Sequence, residues 1–164
     1  MAAVACAAAP SLAGKWEFVP GRGSTLTFWT KMTLDISVDG NKVQITRTLS
    51  RGDDTSNQEV FNLDTTKDDN VCPVTWYADN RYDKATMGLF VGGDGARHIR
   101  ASWLDSGRTL RLDANFVADT QQGPKSVNIL SDYKLSADGA TLTLIQIRSA
   151  RMTPFVYVFT RKTG

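Results

Sequence analysis

Histidine and cysteine are almost absent from this chain, which has one histidine, His98, and two cysteines, Cys6 and Cys72, in 164 residues. A single histidine excludes metal centres built on several imidazoles and leaves a Ser/His/Asp triad one possible pivot. Two cysteines are too few for a disulfide framework, and Cys6 and Cys72 can pair only if the amino-terminal tail folds back. Missing too are any apolar run near the roughly 18 residues that span a bilayer and any helical apolar stripe of three turns. Formal net charge is +2 with the signs interspersed. No block of Lys and Arg interleaves with aromatics, so neither nucleic acid nor an anionic membrane is the expected partner. What is present is the composition of an ordinary globular domain, 41% hydrophobic and 22% charged. Residues 11–164 form one domain, long enough for a single core or a barrel interior.

The first ten residues, MAAVACAAAP, are foreign to the rest. Their small apolar side chains at Ala-x-Ala spacing resemble the tail of a secretory signal peptide. Ala3-Val4-Ala5-Cys6 loosely resembles a bacterial lipoprotein cleavage box, which would place a lipid anchor on Cys6. The expectation is an exported protein, periplasmic or secreted, with a floppy terminus as the alternative origin of this tail.

Alternation with a period of two dominates the chain from Leu12 onward. Leu12 to Val19 is a short strand stopped by Pro20-Gly21-Arg22-Gly23. From Leu26 to Val38 the parity is clean, with Leu26, Phe28, Thr30, Met32, Leu34, Ile36 and Val38 on one face and Thr27, Trp29, Lys31, Thr33 and Asp35 on the other. This predicts one long bent strand. Asp39-Gly40-Asn41 turns the chain, and Val43, Ile45, Arg47 and Leu49 continue the inward face. Gln58 to Leu63, Val71 to Tyr77 and Ala85 to Val91 are shorter strands between polar loops. Gly92-Gly93-Asp94-Gly95 reads as a hairpin turn onto Ala96 to Leu104, where Ile99, Ala101 and Trp103 are inward. Asp105-Ser106-Gly107 leads into Arg108 to Ala118, with Leu110, Leu112, Ala114 and Phe116 inward. The last stretch, residues 126 to 161, holds Val127, Ile129, Ser131, Tyr133 and Leu135 on one parity, a turn at Asp138-Gly139, then Leu142, Leu144 and a final run from Phe155 to Arg161.

Ten or so antiparallel strands in sequence would leave exposed edges as an open sheet, and closure removes them. The fold expected is all-β, an up-and-down meander barrel of about eight to ten strands, enclosing either packed side chains or one small ligand. A two-sheet sandwich is the alternative.

The Gly14-x-Trp16 opening resembles that of lipocalin and calycin barrels. With Val43 to Arg47, Leu135 to Leu144 and Val158 to Lys162, the chain is similar over most of residues 11 to 163 to exported bacterial lipocalin-like domains. That resemblance implies that Trp16 packs at the closed end of the barrel beneath Arg161 of the last strand, a guanidinium over an indole. A shorter resemblance, Trp76 through Trp103 around Val91 to Arg97, is to streptavidin-type biotin binders, which are also antiparallel barrels.

Catalytic constellations are scarce. His98 opposes Ile99 and Ala101 in parity and points outward with Arg100. Gly92-Gly93-Asp94-Gly95 lacks the Lys-Ser/Thr of a phosphate loop. Asp64, Asp68 and Asp69 match no calcium spacing, so no metal and no cofactor is expected. Attention turns to the interior, where Arg47 falls on an otherwise apolar face and Ser131 and Tyr133 do the same later in the chain. A buried cation needs acceptors: a ligand carboxylate, Tyr133, water at an open mouth, or escape of the side chain to solvent. Arg47, Ser131, Tyr133 and Tyr157 beside Trp76, Trp103, Phe116 and Phe155 would suit an amphipathic organic acid. The expected role is therefore non-enzymatic binding of a small apolar or amphipathic molecule by a monomer or homodimer. The alternatives are a barrel-pocket enzyme, a cyclase, isomerase or hydrolase assisted by Arg47 or Tyr133, a biotin-type binder, and a structural barrel with a filled core.

Overall fold

The computed structural model describes residues 11–53, 55–73, 90–91, 95–120, 122–149 and 151–162. Cys6, Trp76 and most of the Gly92 to Gly95 turn lie outside them. Eleven strands follow one another: β1 (Gly14–Phe18), β2 (Lys31–Asp39), β3 (Lys42–Arg51), β4 (Thr55–Asp64), β5 (Asn70–Pro73), β6 (Phe90–Val91), β7 (Ala96–Leu104), β8 (Thr109–Thr120), β9 (Gly123–Leu135), β10 (Thr141–Arg148) and β11 (Phe155–Arg161). All pair antiparallel, in the order β4-β3-β2-β1-β11-β10-β9-β8-β7-β5, with β6 set against β8 off that path. The result is an all-β, up-and-down, nearly closed barrel of ten strands. No helix among the described residues is long and apolar enough to cross a membrane.

Alternation sets which side chains reach the lumen. Leu34 of β2, Ile45 of β3, Leu112 of β8 and Ile129 of β9 are all buried and belong to one continuous core. Fully burying such a side chain stabilises by about 1.5–3 kcal/mol, so a one-residue slip of register would turn an entire strand's contribution outward. Across the seam between β4 and β5, the buried Asn70 side chain substitutes for a backbone ladder. Its Oδ1 accepts from Asp64 N–H at 2.7 Å, and its Nδ2 donates to the carbonyls of Asp64 (3.2 Å) and Ile99 (3.0 Å).

One end of the barrel is sealed where β1 and β11 pair. Trp16 is fully buried, donates Nε1–H to Leu12 O at 3.0 Å, and lies 4.2 Å beneath the Arg161 guanidinium. Arg161 in turn donates to the carbonyls of Ser11 and Ala13, both at 2.8 Å. Gly14 permits this packing: its φ is +135°, and a Cβ there would collide with Arg161 Nη1. The connections β2–β3, β4–β5, β7–β8 and β9–β10 share this closed end, because strands alternate in direction.

Three expectations are corrected. The long strand predicted from Leu26 begins at Lys31. Residues 19–30 instead fold against the opposite, open end, where Ser24 exchanges hydrogen bonds with the backbone of Val156 and Trp29 is buried in the core, although alternation placed it outside. The longest strands are β8 and β9, paired from Thr109↔Lys134 to Thr120↔Gly123. Finally, Phe90–Val91, the described part of the strand expected from Ala85 to Val91, pairs with β8 and not with β7. The β7–β8 ladder ends at His98↔Asn115, and β6 takes the edge of β8 beyond it, at Ala118 and Asp119.

Candidate functional site

Charge is buried in the open half of the lumen. Among the described residues, four charged side chains are buried, Arg47 on β3, Glu59 on β4, Arg97 on β7 and Arg148 on β10. Each shares the parity of its strand's apolar residues: Arg47 with Ile45 and Leu49, Glu59 with Phe61 and Leu63, Arg97 with Ile99 and Ala101, Arg148 with Leu142 and Leu144. The register places Glu59 directly opposite Arg47. Glu59 Oε2 accepts from Arg47 Nη2 at 2.5 Å, and Oε1 is 3.2 Å from Arg97 Nη2, so one carboxylate bridges two guanidiniums. Such a bridge needs every partner, because removing one leaves a charge in low dielectric.

The three guanidiniums border a cavity of about 30 Å³, lined also by the apolar Phe61, Ile99, Leu112, Ala114 and Ile129 and by the polar Ser131, Tyr133 and Gln146. Ten strands enclose a wider lumen than the eight that side chains just fill. The void is small because long guanidinium side chains occupy the open half. Gln146 is buried; its Nε2 donates to Ser131 Oγ at 3.1 Å, while its carbonyl Oε1 has no hydrogen-bond partner among the described residues. At the mouth, Phe155 stacks on Tyr157 (5.8 Å, 8°) and carries the Arg148 and Arg151 guanidiniums at 4.7 and 4.4 Å. Arg97 lies 5.7 Å from the rings of Phe61 and Phe116. Phe116 also borders an open groove of about 530 Å³ with Ala96, His98, Asn115, Val117, Ser126 and Val127, a lining of both inward and outward parity.

Of the residues expected to bind a ligand, Arg47, Ser131 and Tyr133 come together in the cavity wall. Phe116 and Phe155 touch that wall through Arg97 and Arg148. Tyr157 is buried behind Phe155, and Trp103, paired with Leu110 toward the closed end, lies apart from the cavity. Arg47 does not reach solvent, and Glu59 supplies it with a carboxylate. Glu59, Arg97, Gln146 and Arg148 are the residues sequence reasoning missed. The signal was available in each case, a charged or polar side chain on apolar parity.

His98 faces outward and its Nδ1 lies 2.8 Å from Asp69 Oδ2. Asp64 holds Lys42 at 2.5 Å and accepts from the Thr66 hydroxyl and N–H, and these bonds, Lys42 first, hold its carboxyl well below the usual range. Burial pushes the Cys72 thiol up, which keeps it in its unreactive neutral form. Among the described residues no group of three or more His, Cys, Asp or Glu is placed to hold a metal ion. Compared with known protein families and with curated proteins, the chain finds no match in either.

Proposed function

We propose that this barrel binds a small amphipathic organic acid, with the acidic head in the open half of the lumen and the apolar body toward the mouth. The observation that carries the reading is the lining itself: three buried guanidiniums with Ser131, Tyr133 and Gln146 converge on a void whose remaining wall is apolar. Pockets for small molecules have this composition, mostly apolar with a few placed polar groups. Guanidiniums are the side chains best suited to a carboxylate, through paired N–H donors. Size divides the ligand in two. A void of about 30 Å³ has room for roughly two water-sized groups, about the two oxygens of a carboxylate. The body would rest against Phe155, whose ring carries the Arg148 guanidinium.

Titration calorimetry with octanoate tests the proposal. Saturable one-to-one binding is expected, with at least a tenfold loss in Arg148→Met, since charge-assisted hydrogen bonds are worth about 1.5–3 kcal/mol each. Absence of binding by octanoate and by aromatic carboxylates of similar size would overturn it.

A further inference from the structure

Gln146 is 5% exposed, lines the cavity, and donates an amide N–H to Ser131 Oγ at 3.1 Å, which leaves its carbonyl oxygen buried with no donor among the described residues. A buried acceptor left alone is destabilising, and native proteins complete nearly all of them with protein groups or ordered water. The demand does not depend on which way the amide is turned. With its two ends exchanged, the oxygen would accept from the Ser131 hydroxyl, and the nitrogen would stand in the same place in need of an acceptor. Water alone serves both orientations, because it donates and accepts equally well.

Size and lining agree with that partner. The void of about 30 Å³ has room for roughly two water-sized groups. Cavities walled by hydrocarbon alone stay dry, whereas water settles where a few polar groups converge. Here Ser131, Tyr133 and Gln146 share the wall with three arginines. Ser131 Oγ accepts from Gln146 and keeps its own O–H to donate. The register sets this pair side by side across β9 and β10, so the amide is held in place at the cavity wall.

We infer that the lumen of the ligand-free protein holds a buried water molecule that completes the Gln146 amide, its remaining bonds going to the polar side chains of the same wall. This water site exists whether or not an acid binds. Any occupant of so small a void competes with it, so an acid head group enters by displacing the water.

Magnetic relaxation dispersion of the solvent counts water molecules that stay in a protein longer than it takes to tumble. Ligand-free wild type is expected to hold about one more such water than Gln146→Met, because the apolar side chain removes the group that retains it. Equal counts would overturn the inference. A high-resolution crystal structure of the ligand-free wild type reads the site directly and decides the matter if Gln146→Met does not fold. An ordered oxygen within hydrogen-bond distance of the Gln146 amide is expected there, and an empty cavity, or a protein group completing that amide, would overturn the inference. Neither measurement uses octanoate, so a failure here and a failure of acid binding are told apart.

Discussion

A carboxylate shared by two arginines in a barrel interior is the residue-scale arrangement most sensitive to change. Glu59→Leu removes the acceptor of Arg47 and of Arg97 together and is expected to lower unfolding free energy by about 3–5 kcal/mol. Val60→Ala beside it, on the exposed parity, should stay within about 0.5 kcal/mol. Urea unfolding of both variants checks this, and a Glu59→Leu shift below about 1 kcal/mol would mean that the three charges are not held together in solution. At the other end of the lumen, Gly14→Ala combines a left-handed φ with a collision against Arg161. A loss of about 1–3 kcal/mol is expected. In a double-mutant cycle with Arg161→Met, that loss should shrink, because the obstructing guanidinium is gone.

At the scale of elements, the same parity rule that places Leu34 and Ile129 inside also places Arg47, Ser131 and Tyr133 there, which is why part of the site was legible in the sequence. Arg97, Arg148 and Glu59 obey the rule equally. Gln146, two residues before Arg148 on β10, obeys it as well. Trp29 was not legible at all: its burial follows from residues 19–30 leaving the ladder and folding against the open end. Gly23, with φ +139° and no Cβ to meet Val156 O, is what lets the loop approach so closely. The partner of β6 escaped for a related reason, since a glycine-rich turn is a local signal whereas the choice between β7 and β8 depends on where a distant ladder ends. Ser24→Ala removes the hydroxyl that accepts from Val156 N–H. Faster amide exchange at Val156, with little change elsewhere, is the expected outcome. An unchanged rate would mean the loop is not held there.

The turn ends at the closed side carry a pH dependence with a definite sign. Asp64 has a folded-state pKa lowered first by its bond from Lys42 and then by those from Thr66. A depressed carboxylate contributes stability that is fully present above its unfolded value near 3.9 and is lost as pH falls below it. Stability of the wild type should therefore drop faster than that of Lys42→Met below about pH 4, and the two should run parallel above about pH 5. Parallel curves throughout, measured by urea midpoints across this range, would show that the Lys42 bond does not persist.

For the molecule as a whole, an occupant of the lumen binds the folded state alone, so it should raise Tm with the logarithm of its concentration, by about 2.7 kcal/mol of added stability at one hundred times Kd. The strand order has another consequence. β11 lies between β1 and β10, so the first strand of the barrel acquires its second neighbour only when the final one is in place. On the ribosome, β1 would wait with one margin open while residues 19–154 are translated, between Phe18 at its end and Phe155 at the start of β11. Vectorial synthesis thus cannot finish this fold stepwise, and the nascent chain depends on protection of its unpaired margins until the closing strand emerges.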